Sequence, residues 1–256
     1  MSDNNKVDEP IITVDPLTGA VIPPMPPPSE PLPALTASAE LLSNLLTVIE
    51  KEIVPLTEQG VQRGNKVFGA AIVQDMPDDC SCPLVVARTN AEQEETPLFH
   101  GEVHCLYAYS KSLSSDHGHR RPDPSECLFV STHEPCCMCI SSIVWSGFTR
   151  VYYLFGYEET RGQGIPHDLN IMHELWGVPT YRRQNKFLTV AGIPDLVQRL
   201  NDDGDEPKKA LLMERIEALR VKYDKLSHHY HSSKDKPSTN NDQEEGGGGG
   251  AKIPFA

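Results

Sequence analysis

Two short stretches, His100-Gly101-Glu102 and Pro135-Cys136-Cys137-Met138-Cys139, constrain this chain more than anything else in it. The first offers an imidazole and a carboxylate, the second a pair of thiols at C-x-x-C spacing. Residues three apart share a helix face, so Cys136 and Cys139 can reach one ion if a helix starts there. A helix N-terminus also favours the thiolate, which is the form that binds metal. One imidazole with two thiolates is soft enough for zinc, whereas calcium and magnesium prefer oxygen. Three protein ligands leave one position open, the ligand count of a catalytic zinc site. The fold must therefore bring two helix starts, distant in sequence, to one point.

Other uses of these residues are weaker. A lone C-x-x-C can be a thiol redox pair or half of a structural zinc site, but no second C-x-x-C is present and a redox pair needs no upstream His-x-Glu. His100 and His104 are spaced like the histidines of a metalloprotease helix, yet Glu102 stands one place later than that motif requires. His104 is read as a packed or hydrogen-bonded neighbour and Cys137 as a packed thiol. One geometric demand follows. Residues two apart on a regular helix point to nearly opposite sides, so His100 and Glu102 converge only if His100 sits at the helix cap.

The 256 residues suffice for one domain with tails or two small ones. Hydrophobic residues make up 38%, enough for a core. No apolar run approaches the roughly 20 residues needed to span a bilayer, and Met1 to Val7 is too polar for a signal peptide. Seven cysteines, three of them crowded into 136–139, do not form a disulfide framework. A soluble cytoplasmic protein is expected, with the nucleus left open. The formal net charge of −13 disfavours a polyanionic partner, so nucleic acid is not expected and a small substrate fits better.

Residues 1–35 are proline-rich, with Pro23, Pro24, Pro26, Pro27, Pro28, Pro31 and Pro33 close together, and are expected to be an extended or disordered tail. Residues 229–256, with Gly246 to Gly250, are expected to be a second one. Residues 36–228 remain as the folded part. Leu41, Leu42, Leu45, Leu46, Ile49 and Ile53 predict an opening helix capped by Thr36 or Ser38 and ended or bent at Pro55. Val67–Val73 and Leu84–Ala87 predict strands. A helix from about His100 to Leu113, a strand Cys127–Ser131, a helix Cys136–Trp145 and a strand Val151–Phe155 follow. Asp168–Trp176 and an amphipathic Pro207–Leu226 are read as helices. Strands alternating with helices predict an α/β class, a sheet covered by helices.

With these residues in view, the segment from Phe68 to Phe155 resembles the cytidine and deoxycytidylate deaminase superfamily, on the branch with yeast-type cytosine deaminase, guanine deaminase and tRNA adenosine deaminase. Phe68-Gly69-Ala70-Ala71-Ile72-Val73 looks like the family's first core strand, and Ser141 to Tyr153 like its segment after the cysteines. His-Gly-Glu matches yeast-type cytosine deaminase; many relatives carry Ala in the middle. The resemblance implies a three-layer α/β/α sandwich with a mixed, about five-stranded sheet. It implies one zinc held by His100, Cys136 and Cys139, Glu102 as the catalytic acid and base, and assembly as a homodimer. Asn90 lies where the family places a substrate-binding asparagine. Glu134 is read either as orienting the substrate's amino group, through backbone or carboxylate, or as a solvated turn residue. Phe99 either stacks on a base or packs, and His133 is left open. His228, His229 and His231 are read as a solvated tail.

The expected function is zinc-dependent hydrolytic deamination of a nucleobase or nucleoside, of cytosine or cytidine type on the strength of the His-Gly-Glu form and the acidic surface. The alternatives are a purine deaminase acting on guanine, adenosine or tRNA, and a non-catalytic deaminase-like binding subunit, against which the intact Glu102 speaks.

Overall fold

A computed structural model describes residues 13–14, 18–19, 21–22, 29–78, 80–112, 121–200 and 202–234. The chain divides into two units, Met1–Glu30 and Pro31–Ala256. In the first, β1 (Thr13–Val14) pairs antiparallel with β2 (Val21–Ile22). Most of the proline-rich stretch expected as a tail, including Pro23 to Pro28, lies outside the described residues.

The second unit opens with α1 (Ala39–Val48), capped by Ser38, whose hydroxyl accepts from the Leu41 N–H at 3.1 Å. Pro55 does not end this helical run. A π-helical turn, Ile49–Ile53, intervenes, in which the Val54 N–H reaches the Ile49 carbonyl, and α2 (Val54–Gln62) carries Pro55 in its first turn. A proline there has no intrahelical donor to lose, and the wider turn absorbs the bend.

Five strands form the sheet: β3 (Gly69–Gln74), β4 (Leu84–Thr89), β5 (Cys127–His133), β6 (Arg150–Phe155) and β7 (Thr189–Gly192), in the order β4-β3-β5-β6-β7. β3 runs antiparallel to both β4 and β5, whereas β5, β6 and β7 are parallel, so the sheet is mixed. The parallel steps are crossovers through α4 (Cys137–Trp145), and through α5 (Tyr157–Gly162) and α6 (His167–Trp176). α3 (Gly101–Lys111) follows β4, and α7 (Ile193–Gln198) and α8 (Asp202–Lys234) close the chain.

Alternation along the strands loads both faces. Ala71, Val73, Leu128, Val130, Tyr152 and Leu154 pack under α1, α2, α7 and α8, with Leu42, Leu45, Leu46, Ile49 and Ile53 of the first helical run fully buried. Each such side chain stabilises the fold by about 1.5–3 kcal/mol relative to exposure. Ala70, Ile72, Phe129, Val151 and Tyr153 pack on the other face under Cys105, Leu106 and Tyr109 of α3 and Ile140 and Ile143 of α4. The result is the three-layer α/β/α sandwich.

Several boundaries differ from the sequence reading. β7, α5 and α7 have no counterpart in it, and α8 starts five residues earlier and runs to Lys234, through residues expected to be tail. At the other end, the Leu32 N–H donates to the Asn185 carbonyl at 2.9 Å and the Thr189 hydroxyl to the Pro33 carbonyl at 3.0 Å. Backbone pairing beside β7, which hydropathy does not encode, ties this proline stretch down. Residues 235–256 lie outside the described residues. No described helix is long and apolar enough to cross a membrane.

Candidate functional site

His100 is the N-cap of α3, with extended backbone at φ −61° and ψ 153°. Only from Gly101 onward is the chain helical, so the two-residue step from His100 to Glu102 spans a change of backbone direction and both side chains face inward. The demand set by the spacing is met. Cys136 is likewise the extended N-cap of α4 (φ −67°, ψ 174°), and Cys139 lies in its first turn. Both helix starts sit at the ends of strands, where the loops of an open α/β sheet gather.

His100 Nδ1 lies 3.6 Å from Cys136 Sγ and 3.7 Å from Cys139 Sγ. The three ligand atoms are all within 4.8 Å of one another. A tetrahedral zinc with Zn–N and Zn–S bonds of about 2.0 and 2.3 Å requires an N···S separation of about 3.6 Å. The trio therefore fits one zinc ion. Burial, and secondarily the Lys66 ammonium, lowers the His100 pKa to about 4, which keeps the ring neutral as a metal ligand must be. Cys137 is not part of the trio and packs with Tyr157 and Met172; its thiol is held protonated by a hydrogen bond with Cys136 and by burial.

Glu102 is buried against this trio. Ser131 of β5 donates its hydroxyl to Oε1 at 3.0 Å, and the Cys139 thiol approaches Oε2 at 3.4 Å. Burial raises the Glu102 pKa, with the Ser131 hydrogen bond opposing it. Burial thus favours the protonated form more than water does, which suits a carboxyl group that must accept and return protons.

Gly101 has a packing reason of its own. A Cβ there would lie 2.8 Å from the Gly69 Cα, because α3 starts directly on β3. The His-Gly-Glu form, taken from sequence as a pointer to pyrimidine substrates, is explained by this close approach whatever the substrate.

A cavity of about 360 Å³ opens onto His100 and Cys136 and is lined further by Lys66, Phe68, Glu92, Met138, Ile165 and His167. Asn90 is fully buried. Its Oδ1 accepts from the Gly101 N–H at 2.6 Å, fixing the start of α3, and its Nδ2 has no hydrogen-bond partner among the described residues. Phe99 stacks on His104 at 4.8 Å and leans on Tyr107 at 5.3 Å. The His104 Nδ1 lies 2.9 Å from the Thr89 carbonyl, so His104 stands apart from the metal trio.

Glu134 is not a solvated turn residue. Its buried carboxylate takes a two-point ion pair from Arg183, Nε to Oε1 at 2.6 Å and Nη2 to Oε2 at 2.8 Å. A buried carboxylate requires such a partner, and Arg183, 49 residues on, was not a candidate from sequence. His133 is buried too, with Nδ1 at 3.0 Å from the Thr132 hydroxyl and Nε2 at 2.9 Å from Gln163 Oε1, and burial lowers its pKa to about 4. His231 is not solvated tail, since its Nε2 sits 3.0 Å from the Gln163 carbonyl. Ser131, Lys66 and Glu92 were also missed. Only Ser131 left a signal, as a polar residue in line with Phe129 directly after the apolar run Cys127–Val130.

Residues 49–155 match the family model described as the cytidine and deoxycytidylate deaminase zinc-binding region. A protein named probable cytosine deaminase from Schizosaccharomyces pombe is 24% identical over 117 residues, which are 46% of this chain and 64% of that relative, so the chain spans just under two thirds of its length. Among solved structures, a guanine deaminase from Nitrosomonas europaea is 20% identical, with a TM-score of 0.42 over 77% of this chain and 96% of that one. One from Bacillus subtilis is 24% identical, with a TM-score of 0.40 over 55% and 83%. The matched region brings its histidine and two cysteines around a single site that fits zinc, and in this segment the chain is similar to the cytidine and deoxycytidylate deaminase family.

Proposed function

We propose that this protein catalyses the hydrolytic deamination of a nucleobase or nucleoside, with cytosine-type pyrimidines as substrate. The observation that carries the reading is the placement of the buried Glu102 carboxylate 3.4 Å from the Cys139 thiol, beside the metal trio. His100, Cys136 and Cys139 would hold the zinc. Bound zinc supplies a Lewis acid that makes water nucleophilic at neutral pH.

Glu102 takes the proton released by the attacking water and delivers it to the ring nitrogen beside the amino-bearing carbon. It then takes the second proton, from the hydroxyl now on that carbon, and delivers it to the amino nitrogen, which leaves as ammonia while the carbonyl forms, so the carboxyl ends in the state in which it began. Ser131 holds the carboxylate at the angle this shuttle needs. Asn90, with its Nδ2 unused, is the proposed donor to a carbonyl of the base. The Glu134 carboxylate, committed to Arg183, acts in this reading by holding the loop that carries Cys136. Phe99, stacked on His104, buttresses the start of α3.

The name of the S. pombe relative supports a pyrimidine. A homodimer is proposed for the assembly, supported by the exposed apolar side chains of Trp145 and Phe187, which line one groove, and is checked by sedimentation velocity. The function is tested by ammonia release from cytosine, cytidine, guanine and adenosine, with the Glu102→Gln variant as control. The variant should keep its zinc and lose about 10²–10⁴-fold in turnover, the usual contribution of a general acid and base. A variant that retains most of its activity rejects the role of Glu102.

A further inference from the structure

Glu92 lies in the loop between β4 and α3, is only 8% exposed, and lines the same cavity as His100 and Cys136. Its Oε1 accepts the Lys66 backbone N–H at 2.6 Å. Its Oε2 is buried without a hydrogen-bond partner among the described residues. A buried carboxylate oxygen left unpaired is costly, and each such atom in a native structure calls for an explanation. Two residues before it, Asn90 Nδ2 is an equally buried donor without a partner. One loop thus holds, two residues apart in sequence, a buried acceptor and a buried donor without partners among the described residues.

From this pair we infer that Glu92 selects a free pyrimidine base, accepting the N1–H of cytosine while Asn90 donates to the adjacent C2 carbonyl. The inference rests on the deaminase reading above and deepens it. On cytosine, N1–H and C2=O are neighbours on the edge away from the amino-bearing C4, so with C4 at the metal trio this edge is the one left for Glu92 and Asn90. In a nucleoside N1 carries the sugar and has no hydrogen to give. Glu92 would then stay unpaired, and a site built to hydrogen-bond a substrate N–H rejects the analogue lacking it far more strongly than an apolar pocket rejects a methyl group.

Glu92→Gln is the informative change because it keeps the shape. Its amide must turn a donor either toward the Lys66 N–H or toward the N1–H, so one of the two contacts becomes donor against donor. The experiment measures ammonia release and calorimetric binding for cytosine, 1-methylcytosine, cytidine and guanine, on the zinc-loaded wild type and on Glu92→Gln. Cytosine should exceed 1-methylcytosine and cytidine in kcat/KM by at least 100-fold in the wild type. Glu92→Gln should raise the KM for cytosine at least 10-fold, change kcat little and retain its zinc. Equal use of cytosine and 1-methylcytosine, preference for guanine, or an unchanged cytosine KM in the variant overturns the role of Glu92 while leaving a deaminase in place. No ammonia from any of the four, with zinc bound, overturns the deaminase reading itself, and the inference falls with it.

Discussion

The Ser131 hydroxyl donates to Glu102 Oε1 at 3.0 Å, joining the middle strand of the sheet to the first turn of α3. Both groups are buried, so water does not replace this bond when it is removed. Ser131→Ala should lower kcat by about 10–100-fold, the worth of a hydrogen bond to a charged group, with the fold and zinc content intact. Thermal melts and metal analysis beside the kinetics check this. Unchanged kcat would show that Glu102 is held by its burial alone.

The metal assignment separates adjacent cysteines. Cys136→Ala and Cys139→Ala should each lose the zinc, whereas Cys137→Ala, which alters the packing with Tyr157 and Met172 and removes a hydrogen bond with Cys136 but no ligand, should keep it. Metal content by plasma mass spectrometry on the purified variants decides the matter. Stoichiometric zinc in Cys136→Ala would remove that residue from the ligand set.

Gly101 admits no side chain without movement of backbone. A Cβ placed 2.8 Å from the Gly69 Cα must push α3 off β3. Gly101→Ala should destabilise the protein by about 1–3 kcal/mol, as overpacking does, and lower Tm by several degrees. It should also cut turnover, because His100 and Glu102 flank the displaced residue. A variant of wild-type Tm would mean that the interface between helix and strand yields cheaply.

His133 links stability to pH. Burial holds its folded pKa at about 4, against an ordinary value of 6.5. The unfolded chain therefore binds a proton that the folded one refuses, and stability is lost as pH falls from about 6.5 to 4, by up to about 3 kcal/mol. His133→Gln should have the shallower fall of the two when urea midpoints are compared at pH 7 and pH 5. Protonation of the metal ligands affects both proteins alike and cancels in the comparison. Parallel pH dependences would contradict the buried neutral histidine.

Disruption of the Glu134–Arg183 pair tests a purely structural role. Arg183→Met leaves a fully buried carboxylate without its cation. Because the Arg183 side chain is itself 44% exposed, water recovers part of the loss. The expected destabilisation is about 2 kcal/mol, below the 3–5 kcal/mol typical of a wholly buried pair, read from urea unfolding. A variant of unchanged stability would return Glu134 to the list of substrate contacts.

The sequence by itself determined the chemistry and the frame around it. Cys136 and Cys139 carry their spacing in the chain, the resemblance carried by His-x-Glu and P-C-x-x-C implied His100 as the third ligand, and local stereochemistry added that His100 and Glu102 converge only across a cap. Hydrophobic periodicity likewise specified α1, α4 and most of β3, β5 and β6, since each has one face or a whole strand to bury. What surrounds the trio was decided by tertiary structure alone. Ser131 meets Glu102 only because β5 runs beneath α3, Arg183 finds Glu134 across 49 residues, and β7 exists because its backbone can pair with β6. Such contacts depend on which buried polar groups must be satisfied once the layers close, a condition that no local pattern of residues records. The cavity wall at Glu92 belongs to the same class, and with it the choice of substrate.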